Sequence, residues 1–414
     1  MVERIKARTL RKRVLKRIAF VDVKPVEAPR RIVQLVVKDP KLIEEVDKLD
    51  MQDLIEAEVE RVGEDLVVKS LKVLFKNLEP FPIAKKEHGP DFLLRMRHLA
   101  IRGIRYPKIF YVEHVVTWSA IKHLVDEGRK RVHPPLIIAS ATEGGAILFP
   151  VDRFGERKFF LSESAQLYLE VMIFALGKVF SLTTSSRMEK SRTRRHLAEF
   201  RHLEAEAADY GFEDILDAQE RLVKAIVRGV LEDEDASEIV KEFRGKRMDE
   251  LDRLLKEKFP RITYDEAIEI LRKKGVDIKR GDDLGADEER ILTEDFEVPV
   301  FVTLYPTEQK AFYVKRVPDR PEVCYSADLM LPRYGEITTG GEREDDYYKL
   351  LEEIKRRGLK PEDYRRYLDL RKYGSIRHSG YGLGIERFVH RLLDLEHIRD
   401  ATPFPRFYGR STFV

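Results

Sequence analysis

The chain has 414 residues, more than one ordinary hydrophobic core holds, so its length predicts two or three domains. Its hydrophobic fraction of 43% suits a globular protein, and its 77 basic and 74 acidic side chains nearly cancel. A single cysteine, Cys324, excludes an internal disulfide, and no apolar run approaches the roughly 20 residues of a membrane span. We therefore expect a cytoplasmic protein without a membrane partner.

The first 75 residues predict a small five-stranded barrel with one short helix. Val, Ile and Leu partly alternate with polar residues in RIAFVDV, RRIVQLVV, DLIEAEVERV and DLVVKSLKVL, while PKLIEEVDKL suits the helix. Residues 1–17 carry eight cations against Glu3 alone. This concentration indicates a polyanionic partner such as nucleic acid, or else a solvated tail or strand face.

A polar stretch with two prolines and a glycine, EPFPIAKKEHGPD, predicts a linker, and the pattern becomes helical after it. KIFYVEHVVTWSAIKHLVDEG predicts a helix that ends at Gly128, and VHPPLIIAS predicts a strand. A second helix is expected in FLSESAQLYLEVMIFALGKVF, with Ser162 or Ser164 as its N-cap.

Two strands are then expected, in VFSLTTSSRME and RHLAEFRHLEAEAAD. Residues 211–290 have the 3.6-residue period and the charge of an inserted helical region. Further strands are predicted in VPVFVTLYP, AFYVKRV and VCYSADLMLP, and a charged helix is predicted around residues 345–371.

The stretch RMEKSRTRRHLAEF, residues 187–200, places five cations beside an aromatic side chain. Guanidinium groups are planar forks that match phosphate oxygens, and an aromatic ring can stack on a nucleobase. The stretch thus predicts a nucleotide site that includes Arg187 and Phe200. Taken alone, it fits equally well a Phe200 in the core and arginines at a solvated turn.

A second motif, GYGLGIERFVHRLL, contains Gly380, Gly382 and Gly384 before Glu386 and Arg387. Three alternate glycines would leave an ordinary strand without packing side chains. We therefore expect a backbone that a ligand approaches closely, with Arg387 reaching a phosphate. Neither the dinucleotide-binding fingerprint nor a Walker lysine motif occurs in the sequence.

A third motif, GEITTGGERED, contains Glu336, Thr338, Thr339 and Arg343. A carboxylate and hydroxyls next to phosphate-binding arginines suit Mg²⁺, which keeps few protein oxygens and bridges substrate phosphates. A surface turn with a helix cap is the alternative. The histidines lack the spacing of a zinc site.

Together these motifs resemble the class II aminoacyl-tRNA synthetases, specifically the aspartyl/asparaginyl branch and most closely its archaeal asparaginyl members. The resemblance covers nearly the whole chain and includes HPPLIIASATEGGAILFPV, FLSESAQLYLE, EKSRTRRHLAEF, DDLGADEERILTEDF, EDYRRYLDLRKYGSIRHSGYGLGIER and HIRDATPFPR. It implies an α+β fold with an OB-fold anticodon-binding barrel (1–77), a hinge (78–98) and a catalytic domain (99–414). The catalytic domain would hold an antiparallel sheet flanked by helices, with the helical insertion at about 211–290. The resemblance also implies a homodimer, formed through the helix and strand that end at Pro135.

The resemblance further implies an ATP-dependent ligase that uses Mg²⁺ with ATP and charges tRNA. Arg187 would grip the α-phosphate and the amino-acid carboxylate, Phe200 would stack on adenine, and Arg387 would bind the γ-phosphate. Glu336 and Thr339 would hold Mg²⁺, so that Arg187, Arg387 and Glu336 carry catalysis. The remaining implied ATP contacts are Glu189, Arg195, His196 and Gly384.

For the amino acid, the resemblance implies contacts from Glu143, Gln166, Glu204, Arg343 and Arg371. Aspartyl members place a lysine three residues after the glutamine, where this chain has Leu169, so a buried aspartate carboxylate would lose a counter-charge. We therefore expect asparagine, rather than aspartate, as the substrate. In the barrel, the resemblance implies that Phe20 stacks on the middle anticodon base and that Gln34 reads its edge.

Departures from the family pattern at Glu163, Met188 and Arg377 leave alternatives open. One is an asparagine synthetase derived from the family, which would activate aspartate and let ammonia attack the adenylate. The others are an aspartyl or dual-specificity synthetase and a non-catalytic regulatory paralogue. The barrel and Leu169 both count against the asparagine synthetase.

Overall fold

Residues 2–83, 88–139, 148–151, 159–188 and 194–407 are described by the computed structural model. Two units divide the chain between Lys108 and Ile109. Among the described residues, no helix combines the length and the apolar character needed to cross a membrane.

The strands of the first unit close into a five-stranded barrel, as the sequence predicts. The elements are β1 (Val2–Val14), β2 (Ala19–Pro25), β3 (Val33–Val37), α1 (Pro40–Asp47), β4 (Leu54–Val62) and β5 (Asp65–Phe75). Around the barrel the strand order is β1–β2–β3–β5–β4. The first half of β1 pairs with β4 and its second half with β2, and its register shifts between Thr9 and Arg11. One bent strand therefore closes the barrel, and the basic N-terminal segment is part of a strand.

Aliphatic side chains fill the barrel because alternate residues of each strand point inward. Val21 and Val23 of β2, Leu35 of β3 and Ile55 of β4 are fully buried there. The neighbours of the β2 pair, Phe20 among them, consequently lie on the outer face of the barrel.

Two short helices, α2 (Pro90–Arg95) and α3 (Arg97–Ala100), also belong to the first unit. The ammonium of Lys24 on β2 donates hydrogen bonds to the carbonyls of Arg102 and Gly103. The guanidinium of Arg97 lies 4.0 Å from the ring centre of Tyr106. These contacts explain why residues 99–108 group with the barrel, whereas the sequence assigned them to the catalytic region.

The second unit is built on one large mixed β-sheet, and helices pack against it. Its helices are α4 (Arg105–Asp126), which begins in the first unit, α5 (Gln166–Leu176), α6 (Phe212–Glu232), α7 (Glu234–Arg244), α8 (Asp249–Lys256), α9 (Tyr264–Lys273), α10 (Ala286–Leu292), α11 (Tyr347–Arg356), α12 (Arg365–Lys372) and α13 (Ile385–Leu392). Its strands are β6 (Lys130–Arg131), β7 (Ile137–Ile138), β8 (Pro150–Val151), β9 (Phe159–Leu161), β10 (Lys178–Ser186), β11 (Glu199–Ala208), β12 (Arg261–Thr263), β13 (Val300–Thr303), β14 (Arg316–Val317), β15 (Arg320–Cys324), β16 (Ser326–Leu331), β17 (Gly335–Glu342) and β18 (His378–Gly384).

Eight of these strands form the main sheet, in the order β12–β13–β16–β17–β18–β11–β10–β6. Every inner pair is antiparallel, and only the outer pairs β12–β13 and β10–β6 are parallel. The antiparallel sheet flanked by helices that the sequence predicts is therefore confirmed. The region 211–290 is mainly helical, but it is not separate from this sheet, because α6 packs on β16, β17 and β18 and β12 forms an edge strand.

Four local predictions are wrong. Helix α5 begins at Gln166 with Ala165 as its N-cap; the hydroxyl of Ser164 accepts from the backbone N–H of Gln166 at 3.1 Å and donates to Glu204. AFYVKRV is a strand only at Arg316–Val317, because its aromatic residues fill a hydrophobic cluster instead of pairing in a sheet. Within its described residues 132–139, VHPPLIIAS is a strand only at Ile137–Ile138, since its two prolines have no N–H to donate. The charged helix around 345–371 is two helices, α11 and α12.

Candidate nucleotide and amino-acid site

A cavity of about 670 Å³ lies at the middle of the main sheet and collects most of the predicted site residues. Arg187, Phe200 and Arg387, which are far apart in the sequence, all line it. Glu143 and Glu189 lie outside the described residues. The other predicted residues that line the cavity are Gln166, Arg195, His196, Glu204, Glu336, Thr339, Arg343 and Gly384.

The floor of the cavity is the glycine-rich strand β18. Gly382 pairs with Glu204, and a Cβ atom at Gly382 would lie 2.4 Å from Nε2 of His202. At Gly380 a Cβ atom would lie 1.6 Å from Oε2 of Glu206. The expectation that three alternate glycines are too bare for a strand is therefore wrong. They lie in a strand because side chains of the neighbouring β11 cross over them.

One end of the cavity combines an aromatic ring with cations. Phe200, His202 and Glu204 alternate along β11 and all line the cavity, as the two-residue period of a strand requires. The guanidinium carbon of Arg187 lies 5.7 Å from the ring centre of Phe200. This end can therefore hold a planar base against the ring and a phosphate against the guanidinium.

Glu336 and Arg387 form an ion pair in the cavity, with Nη1 and Oε1 2.9 Å apart. Partial burial pushes the pKa of Glu336 upward, but Arg387, Lys310, Arg187 and Arg195 outweigh it and leave the pKa below its ordinary value. Glu336 is thus ionised near neutral pH. Its carboxylate and the hydroxyl of Thr339, a residue that also lines the cavity, offer oxygen atoms, which are the ligand type that Mg²⁺ prefers.

His196 is neutral near pH 7. Burial and the nearby guanidinium groups of Arg387 and Arg195 lower its pKa to about 4. A neutral imidazole can donate through one nitrogen and accept through the other, so His196 can contact a base or a phosphate without adding charge.

Two acidic residues that the sequence did not single out contact side chains or backbone of residues that line the cavity. Glu289 of α10 forms an ion pair with Arg195 at 2.8 Å and accepts a hydrogen bond from the backbone N–H of Glu336 at 3.2 Å. Asp328 of β16 forms an ion pair with Lys310 at 2.7 Å and accepts from the hydroxyl of Thr339. Asp328 could have been noticed as a lone carboxylate in an otherwise apolar predicted strand.

The other end of the cavity is a closed network of neutralised charges. Arg343 donates to Gln166 Oε1 at 2.8 Å and forms an ion pair with Glu206 at 3.2 Å. The Gln166 amide in turn donates to Glu206 at 2.8 Å and to Glu170 at 3.0 Å. Glu206 was missed, although it follows Glu204 by two residues and therefore shares its face of β11.

Arg371 does not line the cavity among the described residues. Its guanidinium forms a fully buried ion pair with Glu170 at 2.6 Å, behind Gln166. His378 and Tyr367 also contact the Glu170 carboxylate, at 2.9 and 2.6 Å. Burial would raise the pKa of Glu170, but Arg371, His378 and Arg343 hold it far below its ordinary value.

Leu169 is fully buried in a hydrophobic cluster with Val132, Ile173 and Val179. It does not line the cavity among the residues that the structure describes. This position thus supplies no cation to the end of the cavity that holds Gln166 and Arg343. The departure residue Glu163 is also buried and does not line the cavity.

The predicted anticodon residues lie in the first unit, on the outer face of the barrel. Phe20 of β2 is partly exposed, and the guanidinium carbon of Arg13 lies 4.9 Å from its ring centre. Gln34 of β3 is exposed, and its amide nitrogen lies 2.9 Å from Oδ1 of Asp22.

Residues 89–408 match the family model described as tRNA synthetases class II (D, K and N). The asparagine–tRNA ligase of Thermococcus kodakarensis is 47% identical over 387 residues, which cover 93% of this chain and 86% of that protein. The asparagine–tRNA ligase of Pyrococcus abyssi is 49% identical over 352 residues, which cover 84% of this chain and 80% of that protein.

Solved structures of asparaginyl-tRNA synthetases are similar to this chain over nearly its whole length. Asparaginyl-tRNA synthetase from Pyrococcus horikoshii, complexed with asparaginyl-adenylate, matches with a TM-score of 0.92 at 41% identity and covers 99% of this chain and 96% of that chain. Asparaginyl-tRNA synthetase from Entamoeba histolytica, also in complex with asparaginyl-adenylate, matches with a TM-score of 0.89 at 30% identity, over 99% and 96% of the two chains.

Proposed function

The chain belongs to the class II tRNA synthetases of the D, K and N group, and on that premise we propose that it attaches asparagine to tRNA with ATP. The observation that carries this proposal is the single cavity, where Phe200 and the arginines lie at one end and the neutral Gln166–Arg343 network at the other. Its relatives named above are asparagine–tRNA ligases.

In the first step, the asparagine carboxylate attacks the α-phosphorus of ATP, the bond to the β-phosphate breaks, and pyrophosphate leaves. Phe200 stacks on adenine, with Arg195 and His196 beside the nucleotide, while Arg187 holds both the α-phosphate and the attacking carboxylate. Arg387 holds the γ-phosphate, over the strand that ends at Gly384. These groups accelerate the step by aligning the reactants and by stabilising charge on the phosphorus, without a covalent enzyme intermediate.

Glu336 and Thr339 are the residues that would hold Mg²⁺, because they offer oxygen atoms to the cavity beside Arg387. When bound, the ion would neutralise phosphate charge as pyrophosphate departs.

Asparagine is favoured over aspartate because the cations at the amino-acid end are already neutralised. Arg343 is paired with Glu206, and Arg371 with Glu170. An aspartate carboxylate would therefore be a buried charge without a counter-ion, whereas an amide adds none. Glu143, Gln166 and Glu204 would bind the α-amino group, Arg343 the side-chain carbonyl, and Arg371 would act indirectly by fixing Glu170 behind Gln166.

In the second step, a terminal ribose hydroxyl of tRNA attacks the adenylate carbonyl, and AMP leaves. The barrel would bind the anticodon loop, with Phe20 stacked on the middle base and Gln34 at its edge. We also propose that the enzyme works in the cytoplasm, as its function in translation requires.

A homodimer is supported by an apolar surface on the second unit. The exposed residues of α5, Val171, Phe174, Ala175 and Leu176, are all apolar, which is unusual for a helix that faces solvent. Trp118 and Val125, on the helix α4 that the resemblance assigns to the interface, are also exposed. Further exposed apolar side chains follow Pro135, at Leu136 and Ile137, and lie on β9, the strand that pairs with β7, at Leu161.

ATP–pyrophosphate exchange, measured with asparagine and aspartate in parallel and followed by tRNA charging, tests the proposal. We expect exchange with asparagine and formation of asparaginyl-tRNA. Exchange with aspartate alone, with free asparagine released when ammonia is added, would identify an asparagine synthetase instead. Absence of exchange with both amino acids would identify a regulatory paralogue.

A further inference from the structure

Three side chains on neighbouring strands form a chain of hydrogen bonds on the outer face of the barrel. Arg11 of β1 and Gln34 of β3 both pair directly with Asp22 of β2 in the strand register. The Arg11 Nε atom donates to Oδ2 of Asp22 at 2.6 Å, and the Gln34 amide nitrogen donates to Oδ1 at 2.9 Å. Each carboxylate oxygen thus has its own donor.

This arrangement fixes the orientation of the Gln34 amide. A carboxylate only accepts hydrogen bonds, whereas an amide has a donating and an accepting end. If the Gln34 amide turned over, its oxygen would face a carboxylate oxygen, and two acceptors would oppose each other. Asp22 itself is held in place, because its side chain is only 10% exposed and the Arg11 guanidinium binds its second oxygen.

Phe20 lies two residues before Asp22 on the same face of β2. Gln34, which is directly opposite Asp22, is therefore a diagonal neighbour of Phe20, and such neighbours are about 7–8 Å apart. A base stacked on the Phe20 ring would bring its Watson–Crick edge within reach of the Gln34 amide.

We propose that Asp22 is a positioning residue that makes Gln34 discriminate uracil from cytosine at the middle of the anticodon. Uracil presents a donor at N3 and an acceptor at O4, whereas cytosine presents an acceptor at N3 and a donor at N4. An amide that is free to turn can match either order, but an amide held in one orientation matches only one. Asparagine anticodons have uracil in the middle, so uracil is the matched base. This inference rests on the proposed function, since it assigns that base to the Phe20–Gln34 face.

The test compares the affinity of the full-length protein for two RNA hairpins whose anticodon loops differ only by uracil or cytosine at the middle position. For the unmodified protein we expect a preference for uracil of about 5- to 150-fold, the range of one bidentate base contact. In Asp22→Asn the new amide can accept or donate, so Gln34 can turn over, and the preference should fall to about threefold or less.

The ratio of the two affinities separates this effect from simple electrostatics. Removing a negative charge strengthens the binding of both RNAs, but it leaves their ratio unchanged. Asp65→Asn, at the exposed start of β5, is the matched control and should keep the full uracil preference. Equal melting temperatures of the variants and the unmodified protein would verify that the barrel is folded.

An unchanged uracil preference in Asp22→Asn, including one that accompanies weaker binding of both hairpins, would overturn the role of Asp22 alone. Lack of any preference in the unmodified protein would overturn it together with the assignment of Phe20 and Gln34 to the anticodon. Asparagine-dependent pyrophosphate exchange, measured separately, shows whether the proposed reaction itself stands.

Discussion

Single residues of the cavity act through charges that the fold holds in place. Arg387, Glu336, Arg195 and Glu289 form alternating ion pairs and hydrogen bonds, so each guanidinium has a fixed position. Groups that are oriented before the reaction need little rearrangement as charge develops on the phosphates. The contribution of each residue should consequently appear in different kinetic constants.

Replacing Phe200 by Leu should weaken ATP binding, because the flat face for adenine is lost while the apolar volume is largely kept. Base–aromatic stacking is worth about 1–3 kcal/mol, so we expect the KM for ATP in pyrophosphate exchange to rise about tenfold or more. Phe200→Tyr preserves the ring and should bind ATP nearly normally. An unchanged KM in Phe200→Leu would contradict the stacking role.

Replacing Glu336 by Gln should affect turnover more than binding. The variant keeps the size of the side chain but loses the charge that would hold Mg²⁺, so we expect kcat to fall about 100-fold and the magnesium requirement to rise. Glu308→Gln is the matched control, since Glu308 also lines the cavity but is paired with Arg356 at 2.6 Å. Equal magnesium dependence of the two variants would argue against the metal role of Glu336.

Elements were predictable from the sequence where their pattern has one physical cause. The barrel strands alternate because one face is buried, and α6 has a 3.6-residue apolar period because one side packs on the sheet. The strand prediction for AFYVKRV was wrong because Phe312 and Tyr313 are buried in a hydrophobic cluster without sheet pairing. The glycines of β18 did not suggest a strand, because what requires them is the side chains of Glu206 and His202 on the neighbouring strand, which occupy the space of a Cβ atom.

The sequence motifs predict residues that line the cavity, but they do not predict the residues that contact and hold them. The motifs point to Arg187, Phe200 and Arg387 only in combination, because the stretch 187–200 alone fits equally well a core phenylalanine with arginines at a solvated turn. Glu289 pairs with Arg195, and Asp328 accepts a hydrogen bond from Thr339; these are tertiary contacts, which no local pattern records. The neutral state of the amino-acid end likewise depends on Glu170 and Arg371, which are 201 residues apart in the chain.

Helix α13 should make the second unit sensitive to acid through His390. The imidazole is buried, with Nδ1 2.9 Å from the hydroxyl of Tyr334, and burial lowers its pKa to about 4. Below about pH 6.5 the unfolded chain therefore binds a proton that the folded protein does not. The unfolding free energy should fall from about pH 6.5 to about pH 4, by up to roughly 3 kcal/mol from this residue.

The matched variant is His390→Gln, whose amide can still bond to the Tyr334 hydroxyl but does not titrate. Melting temperatures measured across this pH range should converge for the two proteins as the pH falls. Curves that remain parallel would show that His390 does not cause the acid sensitivity.

At the scale of the whole molecule, we propose that the two units carry two different kinds of recognition. The barrel offers Phe20 and Gln34 beside a basic strand, and the second unit offers the cavity. If the proposed homodimer forms through the apolar face of α5 in the second unit, assembly is a third function of the molecule. A charge in that face should separate the subunits, since a buried unpaired carboxylate costs several kcal/mol.

Phe174→Glu is therefore expected to sediment as a monomer at concentrations where the unmodified protein is a dimer. Phe174 is 43% exposed in the single chain. Phe75→Glu places the same change at an exposed phenylalanine of the barrel and should leave the dimer intact. If Phe174→Glu sediments as a dimer, the interface lies elsewhere.

The central claim is that the cavity binds an amino acid with an uncharged side chain beside the nucleotide. Two stable adenylate analogues, one carrying asparagine and the other aspartate, test this claim most directly. Calorimetric titration measures the affinity of each for the unmodified protein. The missing counter-charge predicts that the asparaginyl analogue binds about 100-fold more tightly, or better. Equal affinities, or tighter binding of the aspartyl analogue, would contradict the account.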